Sequence, residues 1–155
     1  MAVKPIPEGY STPIAYLTVD DAEVAIEYYK KAFGAKERTR MPMPDGKVGH
    51  AELEIGQSIV MLSDPFPQAT TRTPKELGGT TVSLFLFAED VDSVVKQAVD
   101  AGATITMEPA DQFWGDRFGT ITDPFGHVWG IATHVEDVPP DQMAERAKAA
   151  LASAG

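Results

Sequence analysis

An internal repeat constrains the fold of this chain more strongly than any other feature of its sequence. The segment at residues 19–22, Val-Asp-Asp-Ala, has a counterpart about 70 residues later at 88–91, Ala-Glu-Asp-Val. Each copy precedes apolar residues at helical spacing, and the two helical patterns end at Gly34 and Gly102. Two similar stretches of about 70 residues indicate an internal duplication.

Each copy of the repeat carries the pattern of one strand, one helix and three further strands, written βαβββ. In the first copy these elements are predicted at residues 12–19, 22–33, 36–41, 48–55 and 58–63. In the second copy they are predicted at residues 81–87, 91–101, 103–107, 117–122 and 127–133. The predicted fold class is therefore α+β, with two βαβββ modules.

Composition divides the chain around these modules. Residues 65–79 hold three prolines and two glycines, which is typical of a linker or surface loop. The first module then spans residues 10–64 and the second 80–135. Residues 136–155 begin with acids and prolines and continue with a weakly apolar stripe. They predict a C-terminal helix that docks on the body or on a second subunit, the alternative being a frayed terminus.

The last two strands are predicted to form a hairpin over residues 117–133. Its turn is Asp123-Pro124-Phe125-Gly126. Asp123 favours the first turn position, Pro124 fixes φ at the second, and Gly126 accepts a positive φ. A hairpin cannot bury its apolar face alone, so it must belong to a larger sheet.

Charge and composition exclude several classes of partner. The net charge is −10, and the 13 Lys and Arg residues are scattered, so nucleic-acid binding is not expected. No apolar run approaches the roughly 20 residues of a membrane span, and the first residues do not resemble an export signal. The absence of cysteine excludes disulfides and thiolate sites. These features together predict a cytoplasmic protein without a membrane partner.

The duplicated βαβββ pattern and the terminal Asp-Pro-Phe-Gly-His turn resemble the vicinal oxygen chelate superfamily. This superfamily includes glyoxalase I, extradiol dioxygenases and bleomycin-resistance proteins. The segment from Trp114 through the turn to Trp129, and the tail at residues 132–138, look most like its PhnB-like branch. The resemblance covers residues 10–135 and implies curved mixed sheets around a cleft, the glyoxalase/bleomycin resistance fold. It also implies a homodimer, with modules paired within a chain or swapped between chains.

The resemblance also implies where metal ligands would lie. Metal-dependent members place His, Glu or Gln on the first and the last strand of each module, and these ligands suit Zn, Ni, Fe or Mn. The matching positions here are Ile14, Val60, Ser83 and Gly130. None of these residues is a usable ligand, so neither a metal nor another cofactor is expected. A metal-dependent glyoxalase or dioxygenase is therefore disfavoured.

Polar alternation on the third strand suggests a candidate catalytic group. His50, Glu52 and Glu54 share one strand face if the alternation holds. If this face lines a cleft, His50 is a candidate general base near neutral pH. The alternative is that this face is only solvated.

Aromatic and charged residues near the seventh strand suggest a ligand site. Trp114 offers a surface for stacking an aromatic or cationic ligand, although it also suits a dimer interface. Arg117 is suited to pairing with a carboxylate or phosphate of a ligand, or with Asp116 or a neighbouring Glu. His127 is expected to brace the hairpin through the backbone or Asp123, and His134 to bond Glu136 or Asp137.

Two functions follow from these residue patterns. The first is metal-free binding of a small organic molecule in the cleft of a homodimer. The predicted ligand-binding residues are Tyr16, His50, Glu52, Phe85, Trp114 and Arg117. The second function is a metal-independent enzyme of lyase, isomerase or hydrolase type, with His50 as its base and Arg117 as an anion clamp.

Overall fold

A computed structural model describes residues 3–153 of the chain. The elements are β1 (Ala15–Thr18), α1 (Ala22–Phe33), β2 (Lys36–Pro42), β3 (Val48–Ile55), β4 (Ser58–Ser63), α2 (Pro74–Leu77), β5 (Ser83–Phe87), α3 (Val91–Asp100), β6 (Thr104–Asp111), β7 (Asp116–Thr122), β8 (Val128–His134) and α4 (Pro140–Ser153). The chain divides after Gly79 into two compact units. Unit 1 holds β1 to α2, and unit 2 holds β5 to α4.

The two units repeat one sheet topology. Unit 1 has the strand order β1-β4-β3-β2, and unit 2 has the order β5-β8-β7-β6. In each sheet the first and last strands of the module pair in parallel, and the other pairs are antiparallel. The predicted α+β fold with two βαβββ modules and mixed sheets is confirmed.

Local signals begin and end the helices as the sequence predicts. Asp21 caps α1 by accepting from the Val24 amide at 3.1 Å, and Gly34 ends the helix with a φ of 64°. Asp90 caps α3 in the same way by accepting from the Ser93 amide at 3.1 Å. The apolar sides of the helices bury against their own sheets, and the fully buried members include Ile26, Tyr29, Leu53, Leu62, Val91, Ile121 and Ile131.

A side chain at the end of the last strand ties each sheet to its helix. In unit 1 the buried carboxylate of Asp64 accepts from the Ala22 amide at 3.0 Å and the Val48 amide at 2.8 Å. At the corresponding place in unit 2, the Thr133 hydroxyl accepts from the Val91 amide at 2.8 Å. Both contacts satisfy an amide in the first turn of a helix, which has no partner within the helix.

Several boundaries differ from the prediction, and prolines account for two of them. The first strand, predicted at residues 12–19, covers only Ala15–Thr18, since Pro13 has no N–H to donate to a ladder. The sixth strand continues past residue 107 to Asp111. It tolerates Pro109 because it lies at the sheet edge and the pairing is irregular between Met107 and Ala110.

The segment at 65–79, predicted as a linker or surface loop, contains one short helix, α2, that the sequence analysis did not predict. Thr73 and Glu76 form a reciprocal capping box around α2, with Pro74 at its first position. The predicted C-terminal helix exists as α4, and none of its described residues is buried. The last two residues of the segment 136–155 lie outside the described range.

The Asp64 contact predicts a large loss of stability on truncation. Asp64→Ala removes the acceptor of two backbone amides at a buried site, so we expect the free energy of unfolding in urea to fall by about 3 kcal/mol. Asp21→Ala removes an exposed cap of the same helix and serves as the control, with an expected loss of about 1 kcal/mol. Equal losses in the two variants would refute the role given to Asp64.

Candidate functional site

One face of the unit 1 sheet carries polar side chains instead of an apolar core. Strand alternation points Leu17, Leu53 and Leu62 towards α1, where all three are buried. The strand register aligns Tyr16, Met61 and Glu52 in one row across β1, β4 and β3 on the opposite face. We call this the polar face of unit 1; it includes His50, which lies two residues before Glu52 on β3.

Three side chains of the polar face form a continuous hydrogen-bonded chain. Tyr16 Oη lies 2.9 Å from His50 Nδ1, and His50 Nε2 lies 3.3 Å from Glu52 Oε1. The rings of Tyr16 and His50 are 5.5 Å apart between centroids. Both imidazole nitrogens are therefore engaged, one by a phenol and one by a carboxylate. Glu54, which is predicted on the same strand face, is exposed.

Two residues that no sequence pattern singled out hold the Glu52 carboxylate. Tyr10 Oη donates to Glu52 Oε2 at 2.7 Å, and Arg38 Nη1 lies 4.0 Å from the same oxygen. The Arg38 guanidinium also lies 4.9 Å from the centre of the Tyr10 ring. Arg38 sits where the pairing of β2 with β3 is irregular, and such a bulge redirects a side chain in a way that alternation cannot predict.

The ionisation of Glu52 follows from these contacts. Burial raises the pKa of Glu52, but the hydrogen bonds from Tyr10 and His50 and the charges of His50 and Arg38 outweigh burial, so its pKa lies below the ordinary value. The same contact acts on the phenol, since the hydrogen bond to Glu52 raises the pKa of Tyr10. The polar face therefore contains a carboxylate that is ionised at neutral pH, on a residue that is buried.

The corresponding face of the unit 2 sheet is aromatic. Phe85 and Phe118 are stacked with ring centroids 5.5 Å apart at 8°, and Phe87 lies 5.1 Å from Phe85. The ring centroids of Trp114 and Phe118 lie 6.0 Å apart, with the ring planes inclined at 61°. We call these four residues the aromatic face of unit 2. Phe85 and Phe87 remain 55% and 64% exposed, which is unusual for phenylalanines in strands.

Trp114 is anchored beside a histidine. Its indole Nε1 donates to Asp116 Oδ2 at 3.0 Å, while Asp116 Oδ1 lies 2.8 Å from His134 Nδ1. His134 Nε2 lies 2.9 Å from Asp137 Oδ1, one of the two partners expected from the sequence. The hydrogen bonds to Asp137 and Asp116 raise the pKa of His134.

Arg117 and His127 lie away from these faces. Arg117 donates to both oxygens of Asp92 on α3, at 2.6 and 2.9 Å, and to Asp111 at 3.3 Å. Its guanidinium therefore pairs with acids of this chain, but the partners are Asp92 and Asp111, and not Asp116 or a Glu as predicted. The His127 amide donates to Asp123 at 2.9 Å, so its predicted bracing of the hairpin is confirmed.

The residues present do not fit a chelated metal ion. Within residues 3–153, no group of three or more His, Asp or Glu side chains is arranged to hold one. At Gly130, a Cβ atom would lie 2.9 Å from Phe118 and 3.0 Å from Phe85, so the two rings already fill the space of a ligating side chain. Val60, the position that the sequence assigned in unit 1, is buried and apolar and pairs with Leu53 on the side of the sheet that faces the helix. In the strand register the counterpart of Gly130 is Met61, which is no better a match for the expected His, Glu or Gln.

The fold and these two faces define a class of protein: a duplicated βαβββ protein whose four expected ligand positions carry no His, Glu or Gln. Comparison with protein-family models matches residues 12–131 to the Glyoxalase/Bleomycin resistance protein/Dioxygenase superfamily. The chain belongs to this superfamily, which confirms the resemblance drawn from the sequence.

The chain is also similar to individual proteins over most of its length. An uncharacterized protein of Mycobacterium tuberculosis, Rv0887c, is 46% identical over 143 residues, covering 90% of this chain and 82% of that protein. The crystal structure of an Arabidopsis thaliana gene product, At5g48480, is 30% identical with a TM-score of 0.66, covering 79% of this chain and 98% of its own. A PhnB protein from Bacillus cereus shares the fold at 20% identity, with a TM-score of 0.63 and coverage of 79% and 99%.

A pH dependence of stability is predicted at His134. Its folded-state pKa is raised above the ordinary value of 6.5. The stability that protonated His134 contributes to the folded state is therefore fully present below about pH 6.5 and is lost as the pH rises through the folded-state pKa. We expect His134→Gln to lower the urea midpoint more at pH 5.5 than at pH 9. The control, Arg146→Gln, breaks a nearby pair with Glu136 that does not titrate in this range, and its effect should be constant. A His134→Gln effect independent of pH would contradict the prediction.

Crowding at Gly130 is also testable. Gly130→Ala forces Phe85 and Phe118 apart, so we expect a loss of about 1–3 kcal/mol in the free energy of unfolding. In a Phe85→Ala background the loss should shrink by about 1 kcal/mol, because one obstructing ring is gone. A Phe87→Ala background, in which both obstructing rings remain, is the matched control. The interpretation fails if the two backgrounds give the same loss.

Proposed function

We propose that this protein binds a small, flat organic molecule on the aromatic face of unit 2, without a metal ion, as a homodimer. The observation that carries the proposal is the exposure of Phe85 and Phe87 at 55% and 64% beside a stacked Phe118. Soluble proteins rarely leave contiguous aromatic area open to water unless it contacts a ligand or a partner.

The arrangement of the rings supports a planar ligand. Phe85 and Phe118 are nearly parallel, and Trp114, held by Asp116, is inclined at 61° to Phe118 in an edge-to-face arrangement. Rings in this arrangement offer both faces and edges to a π-system. The hydroxyl pair of Thr106 and Thr120, with oxygens 2.7 Å apart, adds a polar group on the neighbouring strands.

Charge favours a cationic or electron-poor ligand. The chain carries a net charge of −10, which raises the local concentration of cations around it. Aromatic faces attract cations as well. Tyr16, His50 and Glu52, on the polar face of unit 1, form a second proposed binding surface within that unit. The absence of cysteine supports our proposal of a cytoplasmic location.

None of the helices within residues 3–153 has the length and apolarity that a bilayer span requires.

Binding is testable with planar dyes of opposite charge. We expect the cationic dye acridine orange to bind more tightly than the anionic dye 8-anilinonaphthalene-1-sulfonate, in fluorescence titrations at low salt. Phe85→Ala and Phe87→Ala should each weaken acridine orange binding about tenfold, because the loss of one stacked ring costs roughly 1–3 kcal/mol. Leu77→Ala removes an exposed apolar side chain of unit 1 and should change binding by less than about twofold.

Native mass spectrometry of the same samples counts subunits and bound dye together. The proposal expects a dimer that carries dye, and a dimer retained in both Phe variants. If the Phe variants become monomeric while neither they nor the parent protein binds dye, the aromatic face is a subunit interface and the proposal is wrong.

A second candidate function, a metal-independent enzyme, is favoured by a separate observation. His50 is held between a phenol and a buried carboxylate, an arrangement of the kind that orients and activates histidine in general acid–base catalysis. Lyases and isomerases need such a group, and so do hydrolases.

A further inference from the structure

We propose that Glu52, His50 and Tyr16 form a proton relay and that Tyr16, not His50, is the group that exchanges a proton with substrate. The substrate class is a small carbon acid, a molecule with an activated C–H bond. This inference rests on the second candidate function and does not depend on dye binding at the aromatic face, because the two tests use different residues and readouts.

The hydrogen bonds fix the direction of the relay. The ionised Glu52 carboxylate only accepts, so the imidazole Nε2 must carry the hydrogen of the contact at 3.3 Å. The Nδ1 atom of neutral His50 is then unprotonated and accepts from the Tyr16 hydroxyl at 2.9 Å. His50 is thus a base directed at Tyr16, and both of its nitrogens are already engaged.

Exposure increases along the same direction. The Glu52 side chain is 9% exposed, the His50 side chain is 28% exposed, and Tyr16 as a residue is 49% exposed. Tyr16 is therefore the member that a molecule on the polar face meets first. A carboxylate, an imidazole and a hydroxyl in series form the arrangement in which a base, oriented by a third group, activates a hydroxyl.

The buried end of the relay is secured by two further contacts. Tyr10 donates to Glu52 at 2.7 Å, and the Arg38 guanidinium lies 4.0 Å away. These contacts hold the carboxylate in its ionised form and in one orientation. Glu52 and His50 act through Tyr16 and are positioning residues, whereas Tyr16 is the proposed catalytic residue.

The chemistry requires only proton movement. The Tyr16 proton passes to His50 Nδ1, and the resulting imidazolium is stabilised by Glu52. The Tyr16 oxygen then takes the proton of the substrate C–H bond, whose electron pair moves into the substrate as an enolate or expels a leaving group. In an isomerisation, Tyr16 returns the proton to a different carbon and then regains its own proton from His50. In an elimination, the leaving group departs with the electron pair as an anion, and the proton held on His50 passes to that anion or to water, which restores the neutral imidazole. No oxidant or reductant enters the balance.

A generic carbon acid tests the proposal directly. In 5-nitrobenzisoxazole, removal of the C3 proton breaks the N–O bond and forms a nitrile and a coloured phenolate. We expect Tyr16→Phe to reduce kcat/KM at least 100-fold, the usual contribution of a positioned acid or base. His50→Gln and Glu52→Gln should each reduce kcat/KM about 10- to 100-fold. In both variants kcat/KM should begin to increase at a higher pH than in the wild-type protein. Glu54→Gln, on the same strand but outside the relay, should leave the rate unchanged.

The outcomes distinguish failure of the relay from failure of the enzyme candidate on which it rests. If Tyr16→Phe retains the wild-type rate while His50→Gln loses it, His50 is the direct base and the relay is wrong, although the enzyme candidate stands. If the wild-type protein is no faster than Tyr16→Phe and His50→Gln, then both the relay and the enzyme candidate are wrong.

A second measurement does not depend on turnover or on Glu52→Gln folding. The sequence has three histidines, so ¹⁵N-histidine NMR of the wild-type protein can resolve the His50 ring. We expect the neutral ring to be protonated at Nε2, and we expect Tyr16→Phe to shift its Nδ1 resonance by removing the phenol donor. A ring protonated at Nδ1 would overturn the relay.

Discussion

Each unit depends on the parallel pairing of its first and last strands. Neighbouring residues along the chain cannot supply this contact, since β1 and β4 are separated by the whole of the module between them. A side chain at the end of the last strand, Asp64 in unit 1 and Thr133 in unit 2, stabilises this pairing. It accepts a hydrogen bond from a backbone amide in the first turn of the helix that has no partner within the helix. Once this pairing is fixed, strand alternation decides which side chains face the helix and which face away.

The duplicated topology supports two different chemistries. In unit 1, the face opposite the helix carries a buried carboxylate with a histidine and two tyrosines. In unit 2, the same face carries stacked phenyl rings packed over Gly130. Because strand alternation places the two sets of side chains on opposite sides of each sheet, the residues of this face are not part of the helix-facing core. A duplicated scaffold can therefore change its sites independently of its fold.

Most of the helices and strands could be predicted from the sequence, because their signals are local, whereas the pairing of the strands followed from the family resemblance. Asp21, Asp90 and Gly34 mark helix ends by capping, and Asp123 to Gly126 mark a turn by their conformational preferences. The short helix at Pro74 was missed although its capping box, Thr73 to Glu76, was readable. The site was only partly predictable. Strand alternation identified His50 and Glu52. Tyr10 reaches Glu52 from a loop and Arg38 reaches it from a bulge in β2, and the sequence has no periodic signal for either.

The cost of burying Glu52 is the strongest argument that the polar face has a function. Removing a carboxylate from water is unfavourable unless donors surround it, and here three side chains do so from three different parts of unit 1. None of these contacts joins the sheet to α1, whose packing depends on the apolar residues of the opposite face. An apolar side chain at this position would avoid the cost of desolvation. The buried carboxylate of Glu52 is hydrogen-bonded to His50, which in turn contacts the exposed Tyr16. This arrangement is therefore better explained by chemistry at the Tyr16 phenol than by a contribution of Glu52 to the stability of the fold.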